Sequence, residues 1–199
     1  KPEGGPEFER KLLRAIHERD QRLLAQAQNS LSEFRNMYGG AFDIILGRDL
    51  AHAGAVTRGA YRRADRGYYL EHLALLRNST HGEELPFIIL EPKQSRPQAV
   101  IWLDGRGKSA LFADPEDPSR PAPAIEKLLH GGVTVLGADL LYQGEFLSDT
   151  QGLVQTRKVA NPREAAAYTF GYNYALFAQR VHDILSLVQF TRQHLPQLE

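Results

Sequence analysis

Phe8, Leu12, Ile16, Leu23, Ala27, Leu31 and Phe34 fall at helical spacing, with Arg, Glu and Gln between them, behind a loose lead-in at residues 1–6. The period predicts one long amphipathic helix running to about Asn36 and closed by Tyr38-Gly39-Gly40. Such a helix packs on the domain or serves as a dimer arm, packing being the commoner case.

From Gly67 the pattern changes. Gly67 to Leu76 is rich in aromatic and aliphatic residues that partly alternate, which predicts a strand, and Asn78-Ser79-Thr80-His81-Gly82 reads as a turn. Leu85 to Leu90 and Ala99 to Leu103 are unbroken apolar runs, separated by Pro92 and a polar turn through Pro97. Short runs without polar interruption indicate strands covered on both faces. A loop carrying Pro115, Pro118, Pro121 and Pro123 comes next, then a short helix over Ala124–His130 ended by Gly131-Gly132. Val133 to Leu136 forms a further strand closing on Asp139, and a polar loop runs to about Pro162. Tyr174, Phe177, Val181, Ile184 and Val188 mark a last long helix, stopped by Pro196. A hairpin followed by alternating strands and helices is the pattern of an α/β protein. The chain divides into a helical extension, residues 1–50, and an α/β part, residues 51–199.

Composition narrows the function classes. The chain has 199 residues, 42% hydrophobic and 24% charged, enough for one domain or a large part of one. Lys+Arg 24 against Asp+Glu 24 leaves no net charge, so neither nucleic acid nor an anionic membrane is indicated as partner. There is no cysteine, hence no thiolate nucleophile and no thiolate-bound metal. The histidines show neither H-x-H nor H-x-x-x-H spacing, so no zinc site is expected, and no cofactor is implied. No apolar run approaches the roughly 18 residues of a membrane span. A chain starting at Lys1 fits a processed product that has lost a signal peptide, which favours an exported protein over a cytoplasmic one.

The candidate chemistry lies in Trp102-Leu103-Asp104-Gly105-Arg106-Gly107-Lys108-Ser109, where a buried strand opens into a glycine-rich turn. Main-chain N–H groups presented there serve either a phosphate or the oxyanion of an acyl transfer. The phosphate loop needs G-x-x-x-x-G-K-[ST], and its first glycine would stand at Trp102. The helix that should start at Lys108 is also not readable, because prolines crowd the segment after it. Ser109, His130 and Asp139 lie near strand ends, but Ser109 has no nucleophile-elbow context and His130 reads as the last turn of a helix. His182 and Asp183 read as a solvated helix face, with Arg180 and Asp183 as an i,i+3 ion pair. Tyr168, Phe170, Tyr172 and Tyr174 either line a cleft or pack in the core, packing being favoured.

Thr80-His81-Gly82-Glu83-Glu84-Leu85-Pro86, continued by Ile88-Ile89-Leu90-Glu91-Pro92, has a turn glycine, a proline and an apolar strand closed by proline. Gln98 to Gly107, Glu126 to Asp139, Gly144-Glu145 and Arg180-x-x-Asp183 come after it in order. From about Tyr68 to Leu195 these segments together resemble the α/β-hydrolase superfamily. They match its opening hairpin, its third strand with oxyanion turn, its next helix and strand ending in a structural aspartate, and an Arg-x-x-Asp helix. Asp104 stands where members usually carry histidine before glycine. The leading helix and the Arg-x-x-Asp helix lean towards the large bacterial acetyl-xylan-esterase-like hydrolases.

The resemblance implies a partial α/β-hydrolase fold, a mixed, mostly parallel sheet flanked by helices, and hydrolysis of a small-molecule or carbohydrate carboxylic ester. It implies that the Arg106 N–H, with Gly105 and Gly107 allowing the turn, donates to the oxyanion. G-x-S-x-G occurs nowhere in the 199 residues, and the acid and histidine of such a triad come after the serine in chain order. The expectation is therefore the first half of a truncated hydrolase, inactive alone and partnered by the second half of its own domain, with a homo-oligomer open. The rival readings are a non-catalytic module of the same fold and a phosphate-loop nucleotide-binding protein.

Overall fold

The computed structural model describes residues 4–114, 117–147, 160–161 and 171–194. The chain forms two compact units, Lys1–Gly47 and Arg48–Glu199.

The first unit holds two helices, α1 (Gly5–Ala27) and α2 (Leu31–Leu46), where the apolar period predicted one. The break falls at residues 28–30. Ser30 is extended (φ −143°, ψ 121°) and its side chain accepts the Glu33 N–H, which starts a new helix. Gly39 and Gly40 lie inside α2 instead of ending it, and the stop is Gly47, left-handed at φ 64° with its N–H donated to the Asp43 carbonyl.

The second unit is built on a five-stranded sheet in the order β1-β2-β3-β7-β4. Its strands are β1 (Val56–Asp65), β2 (Tyr69–Asn78), β3 (Glu83–Pro92), β4 (Ala99–Trp102) and β7 (Thr134–Ala138). β2 and β3 form the predicted hairpin, in register from Tyr69 opposite Pro92 to Asn78 opposite Glu83. β1 was not legible in the sequence. It pairs antiparallel with β2 and is mostly exposed, so it carries Thr57, Arg58, Arg62 and Arg63 in place of an apolar alternation.

β7 lies antiparallel to β3 and parallel to β4. The sheet is mixed, as expected, but not mostly parallel: three of its four pairings are antiparallel. The single parallel pair results from one crossover, which runs from β4 through a 3-10 helix (Gly107–Leu111), the short ribbon β5 (Phe112–Asp114) and β6 (Asp117–Pro121), and α3 (Pro123–His130).

The apolar runs of β3 and β7 are continuous because both sheet faces are covered. Leu85, Phe87, Leu136 and Ala138 pack with Leu187 and Phe190 of α4 (Leu176–His194). Ile88, Leu90 and Val135 pack with Leu111, Phe112, Ile125 and Leu129 on the other face. The glycine-rich turn after β4 and the loop after β7 therefore leave the sheet side by side, at the carboxyl end of its parallel pair. That is where ligands settle in open α/β sheets.

Candidate functional site

The turn is closed by its own first residue. Asp104 Oδ1 accepts the Arg106 N–H at 2.9 Å and the Arg106 Nε–H at 3.2 Å, and the Asp104 carbonyl accepts the Gly107 N–H at 3.1 Å. The Arg106 N–H, joined by the Arg106 guanidinium, holds the Asp104 carboxyl below the ordinary carboxylate range. The N–H that the sequence selects as oxyanion donor is thus occupied, by the residue standing in the family's histidine position.

Behind the turn sits Asp139, 1% exposed at the end of β7. Its Oδ1 accepts the Lys108 N–H at 2.8 Å, and its Oδ2 accepts the Glu145 N–H at 3.0 Å and the Lys108 ammonium. The Lys108 ammonium also pairs with the Glu145 carboxylate. Two glycines make room for this buried carboxylate. Gly107 (φ +69°) and Gly144 (φ +47°) both have left-handed backbones, and a Cβ on either would collide with the Asp139 carboxyl group. Gly105 has no such duty, since a Cβ there meets nothing within 4 Å.

The loop after β7 is tied back to the turn and outwards to α4. Gln143 accepts the Leu140 N–H at 3.2 Å through Oε1 and donates through Nε2 to the Asp104 carbonyl at 3.3 Å. From α4, Asp183 accepts the Leu141 N–H at 2.8 Å, while Arg180 donates to the carbonyls of Leu141 (2.9 Å) and Tyr142 (3.4 Å). Between these bonds Tyr142 adopts φ 61°, left-handed for a non-glycine residue. Burial pushes Asp183 up to about 6, against the pull of the Leu141 N–H, and the charge of Glu83 adds to the rise.

Several expectations change. Arg180 and Asp183 do not pair with each other as i,i+3 partners; both grip the Leu141–Tyr142 backbone. His182 is not on a solvated face: it is 3% exposed, edge-on to Tyr174 with ring centroids 5.1 Å apart. Tyr172 is 82% exposed and so outside any core, while Tyr168 and Phe170 lie outside the described residues.

Ser109, His130 and Asp139 form no triad. The Ser109 hydroxyl donates to the Arg106 carbonyl, the Asp139 carboxylate is enclosed, and His130 stacks on Tyr68 at 4.5 Å before the opposite end of β7. A cavity of about 610 Å³ lined by Tyr68, Lys93, Arg96 and His130 lies at that same opposite end, away from the turn.

The sequence reading missed Gln143, Lys108 as the cation paired with the buried Asp139, and the obligation on Gly144. Arg180-x-x-Asp183 was the visible signal for the α4 contacts. Among the described residues no group of three or more His, Asp or Glu is placed to hold a metal ion, and no helix is long and apolar enough to cross a membrane. Compared with protein-family models, with curated proteins and with solved structures, the chain matches none.

Proposed function

We propose that the second unit is the oxyanion-turn half of a serine-type carboxylic-ester hydrolase with an α/β-hydrolase fold, acting on a small-molecule or carbohydrate ester. The observation that carries this reading is the position of the Leu103–Lys108 turn. It leaves β4 at the carboxyl end of the parallel pair and is anchored from β7 through Asp139. A rigid turn of this kind aims main-chain N–H groups at a fixed point, which electrostatic stabilisation of an oxyanion requires.

In this reading the substrate carbonyl oxygen takes the place of Asp104 Oδ1 on the Arg106 N–H as it gains charge, and Asp104 turns outward. Gly105, with open space around it, leaves the approach clear. Nucleophile, acid and histidine come from residues outside this sequence, because no G-x-S-x-G occurs within it.

One observation favours a second reading. An Arg106 N–H already satisfied by Asp104 suits a non-catalytic module of the same fold, in which the turn is only structural. Nucleotide binding has less support. The Lys108 ammonium that would meet a phosphate lies between Asp139 and Glu145, and a five-residue 3-10 helix stands where an α-helix N-terminus is needed.

A fluorophosphonate probe and p-nitrophenyl acetate turnover by the full-length protein separate the first two. The esterase labels and turns over, and Asp104→Ala raises kcat by freeing the donor. A protein that neither labels nor turns over is the binding module, and an Asp104→Ala variant with reduced kcat removes the oxyanion role of Arg106.

A further inference from the structure

Arg180 and Asp183 lie on a helix that does not touch the turn through any described hydrogen bond, yet both spend their charged groups on the backbone of one neighbouring loop. Asp183 takes the N–H of Leu141, and Arg180 takes the carbonyls of Leu141 and Tyr142. Three charge-assisted bonds to two consecutive residues are more than helix packing needs. They fall where the loop is least favourable on its own, at the left-handed Tyr142 and shortly before the left-handed Gly144. A strained backbone persists where its surroundings over-determine it.

The onward course of the loop gives the clasp its consequence. Gln143 comes directly after Tyr142 and donates to the Asp104 carbonyl, which also closes the Gly107 N–H turn. Glu145 gives its N–H to Asp139, and Asp139 holds the N–H of Lys108. The loop of residues 139–146 is therefore a wedge, gripped by α4 on one side and bonded at two points to the turn on the other.

We propose that Arg180 and Asp183 are positioning residues for the 103–108 turn, acting through the Leu141–Tyr142 backbone and Gln143. This rests on the esterase reading only for its catalytic consequence. The mechanical link stands on the bonds themselves, so α4 sets how firmly the turn presents the Arg106 N–H. Gln143→Leu tests the second half of the link separately, because it removes the donor to Asp104 and leaves the α4 clasp in place.

The test is peptide-resolved amide hydrogen exchange on the full-length protein and on its Arg180→Ala, Asp183→Ala, Asp183→Asn and Gln143→Leu variants, with p-nitrophenyl acetate kinetics beside it. Arg180→Ala and Asp183→Ala should speed exchange about tenfold in both the 139–146 and the 103–109 segments, as expected when a clasp bond is lost. They should lower kcat by about the same factor with KM nearly unchanged. Asp183→Asn keeps an acceptor for the Leu141 N–H and should restore most of the protection. Gln143→Leu should speed exchange at 103–109 and leave Leu141 protected.

If 103–109 stays protected while 139–146 opens, the clasp is local and the proposal is overturned. Should an alanine variant fail to fold, Gln143→Leu with unchanged exchange at 103–109 overturns it equally. A wild-type protein with no esterase activity removes the hydrolase reading, and the exchange data then decide the clasp alone.

Discussion

Gly105 and Gly107 stand two residues apart in one turn and answer to different demands. Gly107 has a left-handed backbone and faces the buried Asp139 carboxylate. Gly107→Ala should therefore cost at least the roughly 1–3 kcal/mol of a strained backbone, with the collision on Asp139 added. Gly105 faces open space. Gly105→Val should change the unfolding free energy, measured in urea, by no more than an ordinary surface change, about 0.5 kcal/mol. Under the esterase reading the same Gly105→Val depresses kcat, because a branched side chain fills the space through which the carbonyl oxygen approaches. Unfolding curves for both variants and ester kinetics for Gly105→Val check this. A Gly107→Ala protein as stable as wild type contradicts the packing argument, and a Gly105→Val enzyme with undiminished kcat contradicts the oxyanion assignment.

At the scale of elements, the first helix break shows how a regular pattern hides a boundary. Leu23, Ala27, Leu31 and Phe34 keep three- and four-residue steps straight across residues 28–30, so periodicity alone runs the two helices together. The local signal is Ser30-x-x-Glu33, a capping-box pattern that the apolar spacing overshadows. Ser30→Ala should cost about 1 kcal/mol of helix stability. It should appear in the full chain as an earlier loss of ellipticity at 222 nm, and an unchanged melting curve would show that the cap does not hold α2.

The hairpin, β4, α3 and β7 were legible because their apolar runs are bounded by glycine or proline. β7 and most of β3 are buried, whereas β4, expected to be covered on both faces, is a half-buried edge strand. β1 was not, because an edge strand with Arg58, Arg62 and Arg63 turned to solvent carries no apolar alternation. The site was half legible. A glycine-rich turn after an apolar strand announces itself in sequence. The capture of the Arg106 N–H by Asp104 is local, over two residues, whereas the reach of Gln143 and Arg180 onto backbone carbonyls joins segments about forty residues apart that only the fold brings together.

For the second unit as a whole, the arrangement of carboxylates sets how stability depends on pH, with two opposing contributions in separate windows. Asp49, Asp65, Asp104 and Asp117 have pKa values lowered by hydrogen bonds from His52, Lys93, Arg106 and Ser119 respectively. Each contributes stability present above its unfolded value of 3.8 and lost as pH falls through its lowered value in the folded state. Asp183 has the opposite sign. Burial raises it from 3.8 to about 6, so the folded state holds that proton more tightly than the unfolded chain. Its contribution is complete below 3.8 and lost as pH rises through about 6.

For Asp183 the slope is about 1.4 kcal/mol per pH unit at most, and partial exposure to solvent reduces it. Asp183→Asn cannot titrate but still offers an oxygen to the Leu141 N–H. Measured by urea unfolding from pH 4 to pH 7, the stability of wild type relative to Asp183→Asn should therefore fall steadily up to about pH 6 and then level off. Groups shared by the two proteins cancel in that difference. A difference that stays flat across the range would mean that Asp183 is hydrated as freely in the fold as in the unfolded chain, and that α4 does not bury it against the Leu141–Tyr142 loop.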